Sequence, residues 1–397
     1  ILFLLTQDLE SPSGLGRYFP LSKYLSNEGL SVTIAALHSN FDSLKTRSLI
    51  KEGVNVHYVA QMHVIKENNH TKYFNSLQLF WYTIKATWQL FIFLMRHPAE
   101  TVVIGKPHPM NSISGILGGH FKGAKIILDC DDYEAVSNYF SSKWQQSIVR
   151  FFEDITPRFV HQITTNTLFN KERMIALGIP SKKIHYLPNG VDEDRFMNVN
   201  KNITTQISNR LELTDKKIIA YIGSLNLSNH PVDLLINAFK HITKNLNNII
   251  LMIVGGGRDI DILKQMVYDL QLEDKVFFEG RVPPSNVSNY YELADVTVDP
   301  AYNGDSAKGS NPLKMFESWQ MGTPFVTSDV GDRRYLSGLS NFQILAKPGD
   351  QEDLASKILK IIIDPELQVL LIKEGYEKVK KYSWHSLIIH NLDIFTF

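Results

Sequence analysis

The stretch Ile249–Ile250–Leu251–Met252–Ile253–Val254–Gly255–Gly256–Gly257–Arg258–Asp259 decides the fold class. Six consecutive apolar residues bounded by glycine suit a strand buried on both faces, as parallel sheets require. Three glycines before a helical pattern cost chain entropy unless the backbone must be bare there. A ligand contact at Gly255 and Gly256 accounts for that cost, and a simple turn is the competing reading.

The same strand–helix pattern repeats in both directions. Downstream and just upstream, apolar runs fall at 218–222, 276–279, 296–299 and 325–328, and Leu234, Leu235, Ala238, Phe239 and Ile242 form one helical stripe. The first half carries runs at 1–5, 32–37, 54–59, 101–104, 125–128, 162–165 and 184–187. Tyr18, Leu21 and Leu25 share a helix face that ends near Gly29. Such alternation predicts parallel sheets with helices on both faces. The turn formers Pro188–Asn189–Gly190 end the first half, and the polar stretch 198–209 reads as a linker. The expected organisation is an N-terminal domain at 1–190, a second at 191–380, and a final helix at 381–397 carrying Trp384, Leu387, Ile388 and Leu392.

Length and composition agree with that organisation. At roughly 100–200 residues per domain, 397 residues make two domains, each able to bury its own core. The chain has 41 basic and 41 acidic residues, which argues against nucleic-acid binding and its usual basic excess. A single cysteine, Cys130, excludes an internal disulfide framework and suits a reducing compartment. The opening apolar run is too short for a signal-peptide core. No run of about 18 apolar residues is present, so a bilayer-spanning helix is not expected. The first residue is not methionine, which predicts further residues upstream. These features predict a cytoplasmic protein.

Residues 74–95 are unusually aromatic, with Phe80, Trp81, Tyr82, Trp88, Phe91 and Phe93, and Lys72, Lys85 and Arg96 lie nearby. Burial of aromatics favours a helix packed against the sheet. An amphipathic helix resting on the inner face of a membrane is the alternative.

Ligands of open α/β sheets sit beyond the carboxyl ends of strands, where strand order reverses. Three loops suit that place. Gly14–Leu15–Gly16 precedes the first helix and would let an anion approach free N–H groups, although its spacing is not that of a dinucleotide fingerprint and a tight turn explains it equally. Gly255–Gly256–Gly257 is the second. The third, Ser310–Asn311–Pro312–Leu313–Lys314–Met315–Phe316–Glu317, reads as a helix start with Pro312 in the first turn and Asn311 or Ser310 as cap. Lys314 and Glu317 are three apart and share a face. The helix start and Lys314 would hold a diphosphate, and Glu317 would accept hydrogen bonds from a ribose diol. A plain surface Lys–Glu pair is the simpler alternative, and the glycine loops argue against it.

These residues resemble the GT-B-fold retaining glycosyltransferases of family 4 (glycosyl transferases group 1) along nearly the whole chain. The carrying segments are Gly14–Leu15–Gly16, Tyr186–Leu187–Pro188–Asn189–Gly190–Val191–Asp192, Ile253–Val254–Gly255–Gly256–Gly257 and Val276–Phe277–Phe278–Glu279–Gly280–Arg281–Val282. Tyr290–Tyr291, Ala294–Asp295–Val296 and Phe316–Glu317 through Gly322–Thr323–Pro324 complete the series. The resemblance implies two Rossmann-like parallel-sheet domains facing across an interdomain cleft, the second holding an NDP-sugar such as a UDP- or GDP-sugar. It implies Glu317 on the ribose, Gly280, Arg281 and Val282 lining the base, and Gly14 and Gly16 approaching the diphosphate on closure. It further implies that the last helix returns to the first domain and that no metal is required.

Two departures stand out. The family places a second glutamate eight positions before the ribose-binding one, where this chain has Gly309. The family also commonly has an arginine after the glycine ending the second domain's first strand, and a lysine soon after; here Gly223 through Pro231 contains neither. Lys314 would replace part of that charge, with Arg258, Lys308 or His230 contributing.

In the first domain, Lys106–Pro107–His108–Pro109 and Asp129–Cys130–Asp131–Asp132 follow adjacent strand candidates. Asp131 and Asp132 would orient an acceptor hydroxyl or take its proton, with helix capping the alternative for Asp132. His108 is a candidate proton carrier, although its place between prolines suits a structural role. The expected reaction is sugar transfer to the hydroxyl of a sugar, glycolipid or small molecule with retention of configuration. A nucleotide-sugar 2-epimerase and a non-catalytic nucleotide-sugar-binding regulatory module are the rival readings.

Overall fold

The computed structural model describes residues 1–67, 70–140, 142–338 and 344–396. The chain divides into two compact units, one of residues 1–189, 309–311 and 384–397, the other of residues 190–308 and 312–383.

The first unit is built on strands β1 (Leu2–Leu5), β2 (Thr33–His38), β3 (Ser48–Lys51), β4 (Val54–Gln61), β5 (Val64–Glu67) and β6 (His70–Tyr73). Strands β7 (Thr101–Gly105), β8 (Lys125–Cys130), β9 (Gln162–Thr165) and β10 (Ile184–Tyr186) follow. Eight of them form a sheet in the order β10-β9-β8-β7-β1-β2-β4-β3, while β5 and β6 pair as a separate hairpin. All neighbours in the sheet are parallel except β3, which runs antiparallel to β4. The order grows outward from β1 both ways, so the β1 and β7 loops flank the switch point. All four residues of β1 are buried, as a central strand covered on both faces requires.

A buried ion pair ties this unit together. Arg17 lies just before the Phe19–Asn27 helix, and Asp129 lies near the end of β8; both are fully buried. Arg17 Nε donates to Asp129 Oδ2 at 2.7 Å and Nη2 donates to Oδ1 at 2.6 Å. Its remaining nitrogen donates to the Leu187 carbonyl and to Asn189 Oδ1. The guanidinium also stacks on Trp384, whose indole N–H donates to the Gly16 carbonyl at 2.9 Å. Trp384 opens the final helix, Trp384–Phe395, which belongs to this unit.

The second unit carries β11 (Lys217–Ile222), β12 (Ile249–Val254), β13 (Val276–Gly280), β14 (Val296–Asp299), β15 (Phe325–Ser328) and β16 (Leu345–Ala346). They form a parallel sheet in the order β13-β12-β11-β14-β15-β16. The order reverses between β11 and β14, which places the loops following them at a second switch point. β12 is buried throughout, and Leu235, Phe239 and Ile242 of the Val232–Thr243 helix pack beneath the sheet.

Three expectations change. The polar stretch 198–209 is not a linker: Lys201–Arg210 is a helix. Asn200 accepts from the N–H groups of Asn202 and Ile203, while Ile203, Ile207 and Leu211, four apart, face the core. β3, β5, β6 and β16 add strands the apolar pattern does not mark, because β3 is a largely exposed edge and β16 is two residues long. The aromatic stretch forms the Ser76–Arg96 helix, which buries Ala86, Leu90 and Leu94 but leaves Trp81 and Trp88 exposed. Packing against the sheet therefore accounts for one of its faces only.

Replacing Arg17 with methionine is expected to destabilise the protein by about 3–5 kcal/mol, because it strands a buried carboxylate. Urea unfolding measures this, and adding Asp129→Leu should recover most of the loss.

Candidate functional site

In the second unit the site grows from the carboxyl end of β14. Asp299 is buried there and accepts from Lys314 Nζ at 2.7 Å and Arg333 Nη2 at 3.0 Å. Burial would raise the Asp299 carboxyl, but the two cations hold it well below its ordinary value. Burial works against the Lys314 ammonium, and Asp299 outweighs it and keeps the lysine charged. Burial, then Lys314, push His230 down to about 3, so its ring is neutral. Two cations share one carboxylate, which leaves this buried corner with one positive charge in excess.

Local sterics explain the glycines. A Cβ on Gly223 would lie 2.5 Å from Lys314 Cε. Gly255 has a φ of +138°, and a Cβ there would fall 1.8 Å from the Gly223 carbonyl oxygen. At Gly257 it would meet the Leu225 carbonyl at 2.4 Å, and at Gly256 the Arg281 side chain at 2.8 Å. The bare backbone is thus demanded first by the loops after β11 and β12 closing on each other. Gly280 ends β13 at a φ of +68° and accepts from the Gly255 N–H; Arg281 is exposed, and Val282 packs on the core.

The third loop leads into the Leu313–Gln320 helix. Pro312 is the N-cap residue rather than the first helical one, and no side chain caps this helix. Asn311 cannot do so because its side chain is engaged elsewhere: it donates to the Asn166 carbonyl and accepts from the Asn189 N–H. Ser310 instead bonds Asp132. One turn in, Glu317 Oε2 accepts from the Tyr291 hydroxyl at 2.8 Å, and Arg195 lies 3.6 Å from Oε1. Tyr291 is buried; burial and then Glu317 raise its hydroxyl well above the ordinary value, so it remains a donor. Lys314 and Glu317 are each about one-seventh exposed, at 13% and 14%.

In the first unit the chemistry gathers beyond β7 and β8. Lys106 holds a φ of +70°, sparsely populated for a non-glycine residue, and the Asn111 amide braces its carbonyl. That backbone aims its ammonium at Glu134, 2.7 Å away, and Asp131, 3.4 Å away. His108 Nε2 pairs with Glu134 Oε2 at 3.2 Å and Nδ1 with Thr6 Oγ1 at 2.9 Å. Both ring nitrogens are engaged, so a proton-carrier role requires one of those bonds to yield. Burial would raise Glu134, but Lys106 and His108 hold it far below the usual carboxylate range. Asp131 accepts from the Asn166 amide.

Asp132 is half-buried, and burial together with neighbouring Asp131 pushes it up to about 8. It is not a helix cap, because the short Glu134–Ser137 helix starts at Tyr133 without a side-chain cap bond. Glu153 instead accepts the first N–H groups of that turn, those of Glu134 and Ala135. Gly14 fits because a Cβ would lie 2.3 Å from the Asp8 carbonyl oxygen, and Gly16 serves Trp384. Among the described residues no group of three or more His, Cys, Asp and Glu side chains could hold a metal ion.

Lys106, Glu134, Arg195, Tyr291, Asp299 and Arg333 were not marked as site residues by the sequence pattern. Asp299 carries a signal of its own, a carboxylate closing a strand at the switch point, and Lys106 and Tyr291 lie within segments that the sequence singles out.

Residues 202–378 match the family described as Glycosyl transferases group 1. A mannosylfructose-phosphate synthase of Agrobacterium fabrum is 28% identical over 218 residues, 52% of this chain and 46% of its own. A GDP-mannose-dependent alpha-(1-6)-phosphatidylinositol monomannoside mannosyltransferase of Mycobacterium tuberculosis is 22% identical over 57% of this chain and 59% of its own. The chain spans about half the length of these curated relatives. Among solved structures, sucrose-phosphate synthase from Thermosynechococcus elongatus superposes with a TM-score of 0.76 at 16% identity, over 99% of this chain and 98% of that one. Anabaena HepE, in complex with UDP and glucose, does so with a TM-score of 0.73 at 15% identity over the same shares. The two Rossmann-like parallel-sheet units are therefore those of the GT-B glycosyltransferase fold.

The raised Asp132 makes the folded protein the tighter proton binder between its ordinary value near 4 and about 8. Its contribution to stability is present at low pH and is lost as pH rises through that window. Asp132→Asn should therefore gain stability relative to wild type between about pH 5 and pH 8, by at most about 1.4 kcal/mol per pH unit. Chemical denaturation at both ends of the window measures the difference.

Proposed function

We propose that this chain is a retaining glycosyltransferase of family 4, moving a sugar from an NDP-sugar to an acceptor hydroxyl in glycan or glycolipid biosynthesis. The observation that carries the reading is the Leu313–Gln320 helix. It begins beside the second sheet's switch point and brings together an ammonium in a positively charged corner and, one turn on, a carboxylate held by a buried tyrosine.

In this reading Glu317 binds the ribose hydroxyls while Tyr291 orients its carboxylate. Lys314, with Arg333 behind it, faces the diphosphate, and the helix start adds its partial positive charge. Gly280, Arg281 and Val282 line the base; Gly255, Gly256, Ser310, Pro312 and Leu313 complete the donor pocket. As the sugar–phosphate bond breaks, negative charge gathers on the departing diphosphate. A fixed cation and oriented dipoles stabilise that charge without rearranging. The excess charge around Asp299 suits this task, since an anion neutralises what the protein leaves uncompensated.

His108, Asp131 and Asp132 serve the acceptor side. An Asp132 carboxyl that holds its proton to about 8 can exchange it near neutral pH. No metal is required in this reading. The donor is a UDP- or GDP-sugar: one fold relative is in complex with UDP and glucose, and one sequence relative is GDP-mannose-dependent. Acceptors are sugars, glycolipids or small molecules, and contact of residues 74–95 with the inner face of a membrane belongs to the same reading.

Glu317→Ala should weaken binding of the preferred NDP-sugar by about tenfold or more, the consequence of losing a charged hydrogen bond of about 1.5–3 kcal/mol. Lys314→Met should weaken a nucleoside diphosphate more than the matching nucleoside. Calorimetric titration reads both, and unchanged affinity of Glu317→Ala for every NDP-sugar would overturn the ribose assignment. Proton NMR of the transfer product should show the donor's anomeric configuration; an inverted product or exchange at the sugar C2 would exclude retaining transfer.

A further inference from the structure

The crossovers β4 to β7, β7 to β8 and β8 to β9 all step the same way across the first sheet, so their helices share one face. Those helices are Ser76–Arg96, Pro109–Lys122 and Lys143–Ile155, in that order. The second is seated by small residues. A Cβ on Gly115 would strike Ile104, one on Gly119 would strike Ile126, and one on Gly118 would strike Leu94 of the first helix. Ser114 donates to the Thr87 carbonyl of that same helix. These contacts fix which side of each helix points outward.

The outward side is apolar. Leu77, Trp81, Ile84 and Trp88 recur at intervals of three and four along the first helix, with Trp81 62% and Trp88 59% exposed. The second helix exposes Ile113, Leu117 and Phe121, four apart, with Phe121 at 74%. Phe121 meets Phe91 of the first helix edge to face, so the two stripes are continuous. Trp144, Ile148 and Phe151 repeat the pattern on the third helix. Exposed apolar residues scattered singly need no explanation, but three adjacent stripes form a patch that marks an interaction surface.

Charge identifies what the surface meets. The first two helices contain no aspartate or glutamate; their charged residues are Lys85, Arg96 and Lys122. The third exposes Lys143 and Arg150. Its carboxylates are engaged, Glu153 being buried under the turn at Glu134 and Asp154 paired with Arg173. In a chain of zero net charge this is a one-signed border around an aromatic face. A second copy of the same face would bring like charges together, whereas an anionic bilayer accepts the apolar stripe and the basic rim at once.

We propose that the outer faces of these three helices form one membrane-docking surface selective for anionic lipid. This rests on the membrane contact in the reading above, enlarges it from one helix to three, and does not depend on which sugar is transferred. Docking is parallel to the bilayer plane, since no helix among the described residues is long and apolar enough to cross.

The test is co-sedimentation of the full chain with phosphatidylcholine vesicles and with vesicles also containing phosphatidylglycerol. The chain should partition onto the anionic vesicles and less onto the neutral ones. Trp81→Ser/Trp88→Ser/Phe121→Ser should lower that partition by about tenfold or more, with an unchanged melting temperature and unchanged stabilisation by nucleoside diphosphate. Lys85→Glu/Arg96→Glu, which leaves the aromatics in place, should abolish the preference for anionic vesicles. The proposal is overturned if wild type ignores both vesicle types or if the aromatic variant binds as wild type does. It is also overturned if wild type is a dimer that the aromatic variant dissolves. Vesicle binding without nucleotide-induced stabilisation would sink the transferase reading and leave this one standing.

Discussion

A carboxylate buried at the carboxyl end of a strand is tolerable only when a cation meets it, and both units are organised by that requirement. In the first, Asp129 near the end of β8 is met by Arg17 and by the Thr164 hydroxyl. In the second, Asp299 at the end of β14 is met by Lys314 and Arg333. Each pairing reaches far along the sequence, from residue 17 to 129 and from 299 to 333, and so fixes loops that local propensity leaves open. Arg17 then sets the region of Leu187 and Asn189, and stacks on Trp384. Lys314 sets the first turn of its helix and, through its stem, the absence of a side chain at Gly223.

This division of labour explains what a reader of the sequence can and cannot see. Runs such as 218–222 and 249–254 announce strands because burial on both faces leaves little room for polar residues. Every strand of the two sheets except β3 and β16 overlaps an apolar run, although β4, β10 and β13 are only partly buried and carry polar residues. β3 escapes because an edge strand is solvated, and the Lys201–Arg210 helix escapes because three apolar residues suffice to seat it. The helix carrying Lys314 and Glu317 is legible from Pro312 and the apolar positions behind it. Its neighbours Asp299, Arg333, Tyr291 and Arg195 are not, since only the sheet order β11-β14-β15 brings them together.

The glycines teach the reverse lesson. Gly255, Gly256 and Gly257 draw attention as a ligand cradle, yet each has a steric reason inside the protein: the Gly223 carbonyl, the Arg281 stem and the Leu225 carbonyl. A bare backbone signals close approach without saying what approaches. In the first unit, His108 similarly has the residue type of a proton carrier, but Thr6 and Glu134 take both of its nitrogens. Asp132 has the ordinary sequence appearance of a cap, and instead sits beside Asp131 with its proton held to about 8.

The resemblance to group 1 enzymes expects two basic residues in the loop after β11, and that loop has none. Charge, however, acts from where it is in space. The Lys314 stem runs against Gly223, so an ammonium from a neighbouring helix stands at the end of β11. Asp299 neutralises one of the two cations it touches, and His230 adds none because its ring is neutral. A positive charge in excess and largely withdrawn from bulk water is unfavourable on its own, and an anion beside it would relieve that excess. In the proposed reading the same excess charge favours a diphosphate beside Lys314, which would make the departure in the β11 loop a relocation of charge rather than a loss of it.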